Sequence, residues 1–499
     1  MHRQFYRYPR RTLFINNHWQ NAIQRHGEWG ALALLTAIAA VLRVHEITFQ
    51  SLWCDELITA YVSRPGVSLW HPIRHCIHAD VTPPLFYFLL SLWQRIFGSG
   101  EFALRMLPML FGVCGIPATY LLGKEMFSRR SGFFAAAILA FMPMHLFFSQ
   151  AVRSYSLLYL MAALSYLFFL KIQRSQHHSL RYFCGYWACT VVLLYAHYFS
   201  FFVMLSQGVV LAWAIRPLTK DGLRRFVTQG AWLFIVPGLL YLPWVPFMYG
   251  HTRIENHWIP TPDAWFWIKY LKRLFGRHLA VPAAVLFGVY GLSRRRALQT
   301  VSDNKLDDRV ILTAWLGSIV VVPFLLSLHG NSLITFRNMI AGLPPVVLML
   351  GHGLDRMKPA GLRRVFLIIF FGLMIFALFG GNRPYYGRQR NEQWRQAVEF
   401  ILEEDPEARY PVHAVDYAQF YFADVFGVDR EFDFRILDLE DARRVHNLVT
   451  SDELPGFWML DGHRLADSEV NAFLDRNLRR VAQVKLIKVN ATLYKPRED

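Results

Sequence analysis

PPLFYFLLSLWQRIF, at residues 83–97, decides how the rest of this chain is threaded. The stretch is apolar, yet it is short for a hydrocarbon core, which takes about 17 to 25 residues of helix, and it carries Arg95. If it crossed a membrane, the basic link KEMFSRR from Lys124 and every basic link after it would fall outside. If instead it lies along the outer interface as an amphipathic or re-entrant helix, all of them fall inside: KEMFSRR, KIQRSQHHSLR from Lys171, RPLTKDGLRR from Arg216, SRRRALQTVSDNKLDDR from Ser293 and DRMKPAGLRR from Asp355. Links rich in Lys and Arg stay on the cytoplasmic side. The second threading is therefore the expected one.

Composition makes a membrane unavoidable in this reading. Of 499 residues, 54% are hydrophobic and 18% charged, more apolar side chain than a soluble domain of this length buries. The net charge of +17 would point to nucleic acid in a polar chain, but its position argues otherwise. Residues 381–499 hold 17 bases and 22 acids, whereas residues 1–380 hold 36 bases and 14 acids. No nucleic-acid partner is expected. The fold class is a polytopic α-helical membrane protein of about 11 transmembrane helices with a small C-terminal α/β extracytoplasmic domain. The crossings fall near 27–47, 105–123, 132–148, 156–170, 182–197, 201–215, 226–249, 279–292, 310–328, 339–354 and 365–379.

Three regions follow. Residues 1–26 form a cytoplasmic basic arm with Arg3, Arg7, Arg10, Arg11 and Arg25, which makes the first helix an uncleaved anchor in the plasma (inner) membrane. Residues 27–380 form the transmembrane region, with a first outer loop at 44–104. Residues 381–499 form the soluble domain: helical QWRQAVEFILEE from Gln393, strand-like PVHAV from Pro411 and GFWML from Gly456, helical SEVNAFLDRNLRRV from Ser468, and a final strand VKLIKV from Val484.

Acids are scarce in the transmembrane region, and this threading places Glu46, Asp55, Glu56, Asp80, Glu101, Glu255 and Asp263 outside. Asp55 and Glu56 sit in SLWCDELITA among Leu52, Trp53, Leu57 and Ile58. Carboxylates in so apolar a setting are costly unless a partner or a task holds them. A desolvated carboxylate is also a natural general base toward an alcohol. The plainer reading is a helix cap or a loop ion pair. Downstream lie Arg74, His75, His78 and Asp80 before Pro83 and Pro84, and SQAVRSYSLLYL puts Gln150, Arg153 and Tyr155 at the outer edge. Cations there suit the phosphate of a lipid-linked donor, although each Arg alone also serves as a snorkelling anchor.

Taken in order, these segments resemble the GT-C glycosyltransferases of the protein mannosyltransferase and lipid A aminoarabinose transferase type. The resemblance lies in LWxDE after the first helix, D-x-x-PPL-x-Y from Asp80 to Tyr87, GSGEFALRMLP from Gly98, SQAVRSYSLLYL from Ser149, TFRNMIAGLPP from Thr335 and QWRQAVEFI from Gln393. The turn reads QAVRSY where many relatives place an acid after the Gln. The resemblance implies a polytopic enzyme that moves a sugar from a polyprenyl-phosphate donor to an acceptor hydroxyl on the outer side, usually with inversion. The acceptor is a lipid, glycan or protein, and membrane lipids surround the enzyme. By that similarity Asp55 is the base, with Glu56 and Asp80 beside it. Arg74, Arg153 and Arg337 are the candidate phosphate contacts, joined by His78 and Tyr155. A polyprenyl phosphate is already a good leaving group, so no nucleotide-binding loop is needed, and no P-loop or Rossmann glycine pattern is present. A divalent cation, Mg or Mn, between carboxylate and phosphate has Asp55, Glu56, His78 and Asp80 as available ligands, but the sequence does not require one.

Cys54 and Cys76 share the outer loop, where an oxidising compartment permits a disulfide; free thiols are the simpler reading. Trp258, Trp265 and Trp267 with Lys269, Lys272 and Arg273 read as an interfacial belt. The alternative function is a lipid or solute transporter, which would place ionisable groups near mid-membrane and repeat its broken helices in two halves. The acids instead gather toward one face and no halves repeat.

Overall fold

A computed structural model of the chain describes residues 12–174, 179–214, 220–253, 259–293, 297–298, 306–329, 332–381, 384–430, 432–433, 436, 438–462 and 468–497. Arg3, Arg7, Arg10, Arg11, Glu255 and Trp258 lie outside the described residues, as do parts of the links after Lys171, Arg216 and Ser293.

Each of the eleven apolar stretches coincides with a helical segment. Among the described residues, six helices are long and apolar enough to cross a membrane: 27–44, Glu101–Met126, Tyr155–Arg174, 227–251, 308–329 and Ala360–Phe379. Two shorter apolar helices, Leu180–Ala196 and Ser200–Ala214, join them. The pair Arg129–Phe141 and Pro143–Gln150 is bent by 61° at Met142. The bend has a cause in sequence, because Pro143 cannot donate into the preceding turn. Carbonyls freed near the break are met by Arg43, which is fully buried and donates to Leu139 O at 3.4 Å and to Ala140 O at 3.2 Å.

Ion pairs sort the links between helices into two ends of the bundle. At one end Glu28 takes Lys124 at 2.5 Å and Arg129 at 3.1 Å, Arg130 meets Asp355 at 3.6 Å, and Arg174 meets Glu125. The links that begin at Lys124, Lys171 and Asp355 therefore share this end. At the other end Arg105, near the start of Glu101–Met126, donates to Ile47 O at 2.6 Å and Gln50 O at 2.7 Å. The first loop thus leaves and returns at one end. Its helix Leu85–Phe97 is 13 residues long, which gives about 20 Å of rise, too little to cross.

The C-terminal domain sits at that second end. Its strands are β1 Val412–His413, β2 Phe432–Asp433, β3 Phe457–Gly462, β4 Arg479–Leu486 and β5 Val489–Lys495, in the order β2-β1-β3-β5-β4. β1 runs parallel to β2 and β3, and the remaining pairs are antiparallel. Trp394, Val398, Ile401, Trp458 and Leu460 of this domain share one buried cluster with Leu52, Leu57, Phe86, Leu90 and Leu104 of the first loop and its flank. The loop is sandwiched between bundle and sheet.

Two boundaries differ from expectation. The helix from Ser468 stops at Asn477, and after Leu478 the RRV segment begins β4 instead of continuing it. VKLIKV is not one strand but spans a hairpin, turning at Ile487 and Lys488, where Lys488 adopts φ of 55°. That turn lacks the Asn-Gly or Asp-Gly pair that normally announces it. The helix Leu439–Thr450, capped by Asp438 through the Glu440 and Asp441 N–H groups, was not anticipated.

Candidate active site

Trp53 is extended and starts the nine-residue helix Cys54–Val62, so Asp55 and Glu56 fall in its first turn. A first turn leaves N–H groups without helical partners and favours carboxylates. The two acids nevertheless face different surroundings. Glu56 has a side chain only 2% exposed. Its Oε2 accepts the Trp53 N–H at 3.2 Å and Arg105 Nη2 at 3.5 Å, and its Oε1 accepts the Val152 N–H at 2.7 Å. Burial pushes this carboxyl above its usual range, against the pull of Arg105 and the backbone donors. Asp55 is 25% exposed and pairs with Arg337, whose guanidinium lies 4.9 Å from the Trp53 ring centre. Asp55 thus faces outward, and Glu56 is locked inside.

A second cluster stands beside the first. Arg153, in the turn before helix Tyr155–Arg174, donates through Nη1 to Thr59 Oγ1 at 2.9 Å and to the Tyr87 hydroxyl at 2.8 Å. Asp80 accepts the Tyr87 hydroxyl and lies 3.7 Å from Arg153. Burial opposes the Asp80 charge, but Arg153 and the Tyr87 hydroxyl more than offset it and hold the carboxyl below its usual range. Arg153 also feels the charge of Asp55, which joins the two clusters electrostatically. Tyr155 is buried, its ring 4.9 Å from Phe148 and 6.2 Å from His197. It also acts electrostatically on Arg153.

The helix His71–His78 divides the remaining candidates. Arg74 and His78 are exposed, whereas His75 is half-buried with its ring 6.0 Å from Tyr87. Burial lowers the His75 pKa despite the nearby Asp80. Asp55, Asp80, Arg153 and Arg337 are therefore brought together; Glu56 lies beneath them, and Arg74 and His78 are not drawn in. Among the described residues no three His, Cys, Asp or Glu side chains gather as a metal site, so Asp55, Glu56, His78 and Asp80 do not converge on one point. Cys54 and Cys76 are both free and buried.

Several residues of this site carried little sequence signal. Tyr87 stood inside D-x-x-PPL-x-Y but reads as one more interfacial aromatic until Arg153 and Asp80 meet at its hydroxyl. Thr59 and Arg105 stand inside SLWCDELITA and GSGEFALRMLP, but nothing local in those motifs marks either as a site residue. The contributions from Glu392, Tyr417 and Tyr421, more than 330 residues from Cys54 and Leu52, follow from tertiary structure alone.

A bundle with a broken helix pair and a first loop that leaves and returns at one end, under a small α/β cap, is a fold that this chain shares with ArnT and with the arabinofuranosyltransferase AftD. The family of dolichyl-phosphate-mannose-protein mannosyltransferases matches residues 81–247, a third of the chain that includes Arg153 and Tyr155 but neither Asp55 nor Arg337. Among solved structures, ArnT from Cupriavidus metallidurans in the apo state is similar at 14% identity and a TM-score of 0.58, over 93% of this chain and 98% of that one. ArnT from the same organism bound to undecaprenyl phosphate matches at 13% identity, again at 0.58 and over the same shares. The arabinofuranosyltransferase AftD from Mycobacteria matches 93% of this chain and 40% of its own length, at 14% identity and 0.51. No curated protein sequence matches significantly.

Proposed function

We propose that this protein is a multi-pass membrane glycosyltransferase that moves a sugar from a polyprenyl-phosphate donor to an acceptor hydroxyl on the extracytoplasmic side. The observation that carries the proposal is the pairing of Asp55 with Arg337, beside Arg153, at the end of the bundle opposite the basic links. One solvent-reachable carboxylate with two adjacent guanidinium groups is what a single displacement at phosphate-linked sugar requires. Asp55 takes the proton of the acceptor hydroxyl as its oxygen bonds to the anomeric carbon. The bond from that carbon to the phosphate oxygen breaks on the opposite face, which inverts the centre. The electron pair leaves with the phosphate, where Arg337, and behind it Arg153, stabilise the growing charge. Glu56 and Asp80 position: Glu56 ties the base-bearing helix to the Val152 turn, and Asp80 holds Arg153. The binding of undecaprenyl phosphate to the ArnT neighbour supports a polyprenyl carrier. The fold match also favours transfer over a lipid or solute transporter.

The domain arrangement proposed is a cytoplasmic arm at 1–26, a transmembrane catalytic region at 27–380 and an extracytoplasmic domain at 381–499, in the plasma (inner) membrane. Mass analysis of envelope glycans, lipids and glycoproteins, with and without the gene, tests the function. A sugar missing from one class is expected, restored by the wild-type gene and not by Asp55→Asn. Unchanged envelopes, or restoration by Asp55→Asn, would refute it.

A further inference from the structure

The residues on either side of Asp55 are gripped by the C-terminal domain. Glu392, itself buried, accepts the Cys54 N–H at 2.9 Å through Oε2, and the same oxygen accepts the Trp394 indole N–H at 2.9 Å. Cys54 is the first residue of the helix and Asp55 the second. The Cys54 thiol donates to the Tyr417 hydroxyl at 3.3 Å. One residue earlier than Trp53, the Leu52 N–H donates to the Tyr421 hydroxyl at 2.7 Å, and that hydroxyl donates to Glu101 at 2.5 Å. Asn391 Nδ2 donates to the Ser51 carbonyl at 3.1 Å, and the Gln50 side chain accepts the N–H groups of Arg390 and Asn391.

A helix start needs acceptors for its first N–H groups, which side chains of the same segment usually supply. Trp53 cannot supply one at the cap, because its side chain has no acceptor. Glu56 reaches back to the Trp53 N–H, and the Cys54 N–H is left to Glu392. The angle of the first turn, and with it the direction of the Asp55 side chain, is thereby set by a carboxylate from the cap domain.

We infer that Glu392 is a positioning residue for sugar transfer: it fixes the first turn of the helix that carries Asp55, so the C-terminal domain forms part of the catalytic centre. The inference rests on Asp55 being the base. A base misplaced by a fraction of a turn loses rate while the donor site, built on Arg337 and Arg153, keeps its affinity.

The test uses the full-length protein in detergent or nanodiscs. Binding of undecaprenyl phosphate is measured alongside transfer, read as the rate of sugar loss from an extract of the host's own polyprenyl lipids. Glu392→Ala should slow transfer about 10- to 100-fold, with undecaprenyl phosphate affinity within about twofold of wild type. Glu392→Gln keeps an amide oxygen for the Cys54 N–H and should recover most of the rate. Wild-type turnover in folded Glu392→Ala, or equal failure of the Ala and Gln variants with folding intact, would overturn the inference. Should Glu392→Ala fail to fold, Glu392→Asp keeps the carboxylate but draws it back from the Cys54 N–H; a several-fold rate loss at unchanged affinity supports the inference and an unchanged rate overturns it. Asp55→Asn runs in parallel: activity there refutes the base itself, whereas an inactive Asp55→Asn beside a fully active Glu392→Ala refutes only the role of Glu392.

Discussion

Asp55 and Arg337, 282 residues apart in sequence, form an ion pair against the face of Trp53. Both side chains are partly exposed, so a phosphate arriving at Arg337 meets a cation already shared with the proposed base. Under the proposed function, donor binding competes for the guanidinium and releases Asp55 toward the acceptor. Asp55→Asn should lower turnover by about 100-fold or more while leaving undecaprenyl phosphate affinity near wild type. Arg337→Ala should instead weaken that affinity as well as turnover. Arg337→Lys should rescue poorly, because an ammonium neither forks around a phosphate nor stacks on the indole as a guanidinium does. Equal donor affinity in all three variants would exclude Arg337 from the phosphate site.

Glu56 should behave differently from its neighbour. Its carboxylate faces Arg105, whose guanidinium also donates to the Ile47, Gln50 and Ser51 carbonyls. Glu56→Ala leaves that buried cation short of its acid and strands the Val152 N–H, changes that cost about 3–5 kcal/mol when one partner of a buried pair is removed. Thermal unfolding in detergent should show a large drop for Glu56→Ala, and a small one for Asp55→Asn. Matching melting temperatures for Glu56→Ala and wild type would remove its structural role.

The Asp80 carboxyl is held below its usual range by Arg153 and Tyr87 against the effect of burial. A carboxyl with a depressed folded-state pKa contributes stability that is fully present above its unfolded value and is lost as pH falls through the folded one. The melting-temperature gap between wild type and Asp80→Asn should therefore stay constant from about pH 8 to about pH 5 and narrow only below about pH 4. A gap that closes already near neutrality would mean that the Arg153 contact does not hold the charge.

The fold was legible where hydropathy and charge act over long windows. Eleven apolar stretches, and a first loop that returns to its own end, follow from segment length and from the positions of Lys and Arg. The site was half legible. Asp55 and Arg337 stand in recognisable motifs, but nothing local separates Asp55 from Glu56, since both share one dipeptide; only the Val152 N–H and Arg105, distant in sequence, turn Glu56 inward. Arg74 and His78 were attractive by type, yet a single helical turn places His75 against Tyr87 and leaves those two in solvent. The β4–β5 hairpin was hidden because Lys488 makes a left-handed turn residue that carries no composition signal.

Cys54 and Cys76 offer a test of the loop's packing that needs no substrate. Both are free and buried, on the helices Cys54–Val62 and His71–His78 that flank the first part of the loop. Burial pushes the Cys54 thiol up to about 12, and burial likewise raises Cys76. The thiolate is the reactive form, and at neutral pH such groups hold almost none of it. In the folded protein neither should react with a maleimide at pH 7, and each should label once the chain is denatured. Mobility on a gel should be the same with and without reductant. Variants retaining Cys54 alone or Cys76 alone separate the two. Rapid labelling of Cys54 in the native state would show that the grip of Tyr417 and Glu392 on the start of this helix is open, and would remove the basis for a fixed Asp55.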